Sequence, residues 1–105
     1  MYAYSIKFIQ TRIKEKHPHA HAEFTEPTKI HEHKQLRNYL LWMCEEIKKN
    51  KKDPLKASRW IGWIFSKMES MGMMTNDESR NCAMRDKDGV EAETQKIYGK
   101  KSKTV

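Results

Sequence analysis

Glycine is scarce in this chain, with four residues in 105, and cysteine is scarcer, with two. Each shortage removes a class of chemistry. So few glycines build neither a phosphate-cradling loop nor a dinucleotide fingerprint, both of which need several at fixed spacing. No G-x-S-x-G is present to carry a hydrolase serine. Cys44 and Cys82 stand far apart with no C-x-x-C pair. They read as small buried hydrophobes of an intracellular protein, not as a disulfide framework. No apolar run approaches the ~18 residues that cross a bilayer. The opening "MYAYSIKFIQTRIKEK" is interrupted by Lys7 and Gln10, so it lacks the apolar core of a signal peptide. A soluble, cytoplasmic protein is expected.

Converging acids are also missing. Glu45-Glu46 and Asp77-Glu78 are sequence neighbours, which places them on different bearings of a helix. Asp86 and Asp88 fit a turn before Gly89 better than a cation site. No enzyme and no cofactor are expected.

Charge is what the chain has in abundance. Twenty-one lysines and arginines face fourteen acids, for a net charge of +7 at pH 7, and sixteen of the cations are lysine. Such an excess favours phosphates or an acidic protein surface as partners, although a lysine coat also serves solubility. At this length the chain is one domain, 1–105.

Periodicity assigns helices. Ile6, Ile9 and Ile13 predict one over Ser5–Lys16, against a competing strand-like alternation of Tyr2, Tyr4, Ile6 and Phe8. His17-Pro18 ends it, because the residue before proline avoids the helical region. Leu36, Leu40, Met43 and Ile47, widened by Tyr39 and Cys44, mark a second helix starting between Pro27 and Lys34. "DPLKASRWIGWIFSKMESMG" carries a third, with Asp53 as N-cap, Pro54 at the first helical position and Gly72 as the left-handed stop. Its apolar stripe is Ala57, Ile61, Ile64, Met68 and Met71. "TNDE" (Thr75–Glu78) is a capping box opening a short helix to about Arg85, ended by "DKDG". Val90, Thr94, Ile97 and Tyr98 suggest a last, weak helix. The expected fold is mainly α: a small bundle of three to four helices, core at about 27–86, with a polar histidine-rich connector and a frayed basic tail at 99–105.

Three readings of function compete. All five histidines fall in "KHPHAHAEFTEPTKIHEHK", where His17, His19 and His21 alternate, as do His31 and His33. On an extended chain these could converge on a metal, with Glu23, Glu26 and Glu32 as orienting partners. Structural zinc sites recruit cysteine at regular spacing, however, and Gln35 stands where H-E-x-x-H needs its second histidine. The stretch reads as a polar connector.

Nucleic-acid binding would use the basic run Lys48, Lys49, Lys51 and Lys52 against phosphates. Asn76, Ser79, Arg80 and Asn81 would face base edges from a helix-turn-helix-like pair. The third reading rests on tryptophan. Trp60 and Trp63 sit at i and i+3, ringed by Lys56, Arg59 and Lys67, the composition of a protein-binding hot spot. Core packing competes for at least one of the three tryptophans, Trp42 included. Met68, Met71, Met73 and Met74 supply a deformable surface beside them.

Across "HKQLRNYLLWMCEEIKKN" and "DPLKASRWIGWIFSKMESMGMMTNDESRN", about His33–Asn81, the chain resembles the small accessory proteins of lambdoid phages. These are lysine-rich, about a hundred residues long, and built from two or three helices with a tryptophan-bearing central one. Within that group it is similar to the anti-RecBCD proteins, which bind the host exonuclease-helicase during phage recombination. The resemblance implies a non-catalytic modulator of a host DNA-processing enzyme in the bacterial cytoplasm. No motif maps residue by residue, so it transfers no site residues. The chain departs from the acidic DNA-mimic inhibitors of phages, being basic.

Overall fold

The computed structural model describes the backbone of residues 1–49 and 53–102, and their side chains except at 93 and 97–102. Four helices form it: α1 (Ala3–Lys16), α2 (His33–Lys49), α3 (Pro54–Ser70) and α4 (Asn76–Ser102). A single 3-10 turn, Pro27–Lys29, sits in the connector between α1 and α2, and no strand occurs among the described residues. The helices close a ring in which α1 packs on α2, α2 on α3, α3 on α4 and α4 back on α1.

Helical spacing wins over strand alternation in α1. Ile6, Ile9 and Ile13 all lie on its inner face, each 1% exposed or less. Burying one isoleucine contributes about 1.5–3 kcal/mol as an upper figure, so α1 is a principal core element. The core therefore reaches beyond the 27–86 span expected from the sequence. It joins these isoleucines to Leu40, Leu41, Cys44 and Ile47 of α2 and Ala57, Ile61, Ile64 and Met68 of α3. Met73, Met74 and Cys82 complete it from the turn and α4. Both cysteines are free and buried.

The boundaries of α3 follow its local signals. The Asp53 carboxylate accepts from the amides of Leu55 and Lys56 at 3.1 and 3.0 Å, and Pro54 occupies the first turn. At the other end Gly72 takes φ of 70°, a left-handed conformation that costs glycine nothing. Met73 N–H bonds back to the Met68 carbonyl at 2.9 Å, closing the helix end. The capping box forms as well. Thr75 Oγ1 accepts from the Glu78 amide at 3.1 Å, and Glu78 Oε1 accepts from the Thr75 amide at 2.9 Å.

Four expectations fail in α4. The helix does not stop at "DKDG" near Arg85, and there is no separate weak helix after it: 27 residues run as one. Gly89 stays in the right-handed helical region, Gly72 being the only positive-φ glycine among the described residues. Nor does Asp86 make a turn. It is buried, and its carboxylate accepts from the backbone amides of Tyr4 and Ser5, both at 2.9 Å, and from the Ser5 hydroxyl. Aspartate ends a helix by bonding its own backbone. Here that oxygen is engaged by the open N-terminus of α1, whose first amides have no partner within α1. The tail expected to fray from 99 is helical to Ser102, and 103–105 lie outside the described residues.

A second tie reinforces the same pair of helices. Arg12 Nη2 meets Glu78 Oε2 at 2.6 Å while Arg12 Nη1 donates to the Met73 carbonyl at 2.9 Å. The Arg12 guanidinium, helped by the Thr75 amide, holds the Glu78 carboxyl down at about 2.

The connector is the least regular part, yet it is not loose. Asn38, buried in α2, accepts the His21 amide on its Oδ1 at 3.1 Å and the Glu23 amide on its backbone carbonyl at 3.1 Å. The start of α2 is tied by Gln35 Oε1, which accepts from the amides of His31 and Glu32 at 2.8 and 3.1 Å. The second helix thus begins at His33, late in the interval expected.

Candidate functional site

Four residues of α3 fall on one stripe at spacings of four, three and four: Lys56, Trp60, Trp63 and Lys67. That spacing keeps them on a common helical face. The Lys56 ammonium lies 5.3 Å from the Trp60 ring centroid and the Lys67 ammonium 5.2 Å from that of Trp63. Each cation is within the range of attraction to an aromatic face. Arg59 is exposed on the same helix. Four of the five residues singled out from the sequence thus share one helical face.

The tryptophans do different work. Trp60 is half-buried and packs against the core, whereas Trp63 is 37% exposed. Both extend a larger aromatic surface. Tyr39 and Trp42, one turn apart on α2, hold the centre with ring centroids 5.4 Å apart. Trp42 contacts Trp60 at 6.1 Å, and Tyr39 meets Trp63 edge-on at 5.9 Å and 78°. Phe24 of the connector closes the cluster, edge-on to Trp42 at 4.9 Å and 6.0 Å from Tyr39. Phe24 remains 56% exposed. Five rings from three segments make one continuous face.

Sequence reasoning missed Phe24 and gave Tyr39 only a place in the core stripe. Phe24 had a signal, being the one aromatic residue in a polar connector. The tether that seats it is not visible in the sequence. Asn38 fixes the backbone at His21 and Glu23, which delivers residue 24 onto Tyr39 and Trp42.

The described members of the basic set proposed for nucleic acid are not brought together. Lys48 and Lys49 pair within α2 with Glu45 at 3.5 Å and Glu46 at 3.3 Å, so part of their charge is spent locally. Lys51 and Lys52 lie outside the described residues. Arg80 is exposed near the start of α4, at the opposite end of α3 from Lys48 and Lys49. The 17 residues of α3 separate those ends by about 25 Å. Of the other base-reading candidates, Ser79 is buried and donates to Glu69 at 3.1 Å, and Asn76 donates to the same carboxylate at 3.4 Å. Asn81 is exposed.

The histidines do not converge as metal ligands. Among the described residues no group of three or more His, Cys, Asp or Glu side chains is placed to hold an ion. His21 instead pairs with Glu23 at 3.0 Å, which raises its pKa. His31 and His33 are exposed at the start of α2. His17 follows the last turn of α1, where burial and then the charges of Arg37 and Lys16 lower its pKa. Both thiols are poor nucleophiles, since burial pushes Cys44 up to about 12 and Cys82 upward as well.

No family model matches the chain, and no curated protein or solved structure matches it. No described helix is long and apolar enough to cross a membrane.

Proposed function

We propose that the chain is a non-catalytic binding protein whose aromatic face docks on a larger protein. One observation carries this: Phe24, Tyr39, Trp42, Trp60 and Trp63 form a continuous, partly exposed cluster flanked by Lys56 and Lys67. Aromatic anchors ringed by polar groups dominate the energy of protein interfaces. The flanking lysines favour a partner with acidic residues beside an apolar recess. A binder without chemistry of its own acts through differential affinity for the states of its target. The resemblance across His33–Asn81 directs the choice of target to a bacterial DNA-processing enzyme of the RecBCD exonuclease-helicase type.

The test uses purified RecBCD-type enzyme and the full chain in calorimetric titration, with nuclease activity followed in parallel. Trp60→Ala with Trp63→Ala should weaken binding by at least 2 kcal/mol, about 30-fold, if the face is the hot spot. Equal affinity in a double variant of unchanged helicity removes the assignment.

Direct DNA binding is the second reading and has weaker support, because Lys48 and Lys49 are partnered and distant from Arg80. It requires duplex affinity that falls steeply with salt. A gel-shift without retardation at low salt disposes of it.

A further inference from the structure

A cleft of about 340 Å³ opens where the connector leaves α1 and crosses the first turns of α2. It lies beside the aromatic face, sharing Asn38 with it as the anchor of the strap. Lys16 of α1, His17 and His19 of the connector, and Lys34 and Arg37 of α2 all line it, and no carboxylate does. The absence is local: the chain carries fourteen acids. Some described cations elsewhere pair with acids, as Arg12 does with Glu78 and Lys48 with Glu45; what sets the cleft apart is that three cations share one lining. Lys16, Lys34 and Arg37 form no ion pair among the described residues.

Like charges gathered without a counterion are unfavourable for the protein alone. His17 lies among them, its protonated form disfavoured first by burial and then by the neighbouring Arg37 and Lys16. Asn38 holds the strap in place with its amide oxygen, so the cleft is shaped before any ligand arrives. Three cations, one a planar guanidinium suited to forked bonding, with two imidazoles as further donors, match a tetrahedral oxyanion.

We infer that this cleft binds a phosphate group, with Lys16, Lys34 and Arg37 as the charged ligands and His17 and His19 as auxiliary donors. The group could be a free phosphate or a phosphodiester of a nucleic-acid backbone, since both present the same oxygens. The site gives His17 and His19, two of the five histidines, a role without a metal.

The experiment is an amide and imidazole NMR titration of the full chain with inorganic phosphate, at fixed pH and with chloride replaced at constant ionic strength. Saturating shifts confined to residues 16–20 and 34–38 are expected. Lys16→Gln with Arg37→Gln should weaken them at least ~10-fold, the equivalent of one charge-assisted hydrogen bond. Lys29→Gln removes a connector charge outside the cleft and should leave them unchanged. Shifts that are spread over the surface, do not saturate, or respond equally to K29Q overturn the site, because they report general screening.

A second titration with a short single-stranded oligonucleotide identifies the source. Shifts of the same residues at ~100-fold lower concentration, reduced by the double variant, assign the cleft to a nucleic-acid backbone. Phosphate saturation that the oligonucleotide leaves unaltered assigns it to a small phosphate ligand. W60A/W63A should retain phosphate binding, so failure of the aromatic docking face and failure of this cleft are read separately.

Discussion

The seam between α1 and α4 and the seam between the connector and α2 are built from similar residue types and do opposite work. Along the first, the charged groups that cross between the helices meet partners suited to them. Asp86 closes the N-terminus of α1, and Glu78 takes Arg12 while capping its own helix. Along the second, one neutral amide, Asn38, holds the strap, and the charges around it are left facing solvent. Stability is concentrated where polar groups are satisfied, and binding capacity where they are not. Lys16, in the last turn of α1, lines the cleft of the second seam, so one helix links the stable side to the receptive one.

Asp86→Ala should break the first seam most severely. It strands two backbone amides and a buried hydroxyl, for a loss of about 3 kcal/mol, measured as a fall in urea midpoint. Asp86→Asn keeps one acceptor and should lose about half as much. The counterpart in the second seam is Asn38→Ala, with an expected loss of about 1–2 kcal/mol. Its sharper effect is local: hydrogen exchange at the His21 amide should rise while amides of α1 and α4 keep their relative protection. If Asn38→Ala cost as much as Asp86→Ala, the division between the seams would fail.

Glu78 gives a smaller and pH-dependent term. Its folded pKa lies near 2, below its ordinary value, so its contribution is complete above about pH 4.5 and is lost as pH falls towards 2. With both partners partly exposed, screening reduces the pair to about 1 kcal/mol. Comparing urea midpoints at pH 3 and pH 6 checks this, since Glu78→Gln should flatten the difference. The smallest expected effect is none at all: neither Cys44 nor Cys82 should react with a thiol reagent in the folded protein. Labelling at the rate of a small free thiol would show that the core opens far more readily than the first seam implies.

Much of this was legible from local pattern. Asp53, Pro54, Gly72 and the Thr75–Glu78 box act within a few residues of themselves, so their reading survives folding. The stripe from Lys56 to Lys67 was equally readable, since one helix carries it whole. What escaped depends on partners remote in sequence. Asp86 looked like a turn residue because its acceptors' donors, at Tyr4 and Ser5, are more than eighty positions away. Phe24 and the cationic cleft escaped for the same reason, both being made by the strap crossing α2. Lys48 and Lys49 differ in the other direction, as charge counted along the chain ignores the acids one turn back that pair with them.

The Asp86 contact also sets an order of events during synthesis. The amide of Ser5 waits 81 residues for its acceptor. At translation rates of about 5–20 residues per second, that interval is roughly 4 to 16 seconds. Throughout it α1 can coil only transiently, for a helix of this length is marginal in water by itself. The nascent chain therefore gains its last stabilising step from its far end, and the loop closure that step requires is entropically among the most expensive in the molecule. Until the ribosome has released residue 86, the first amides of α1 lack their acceptor, and the chain relies on its high positive charge to stay dispersed.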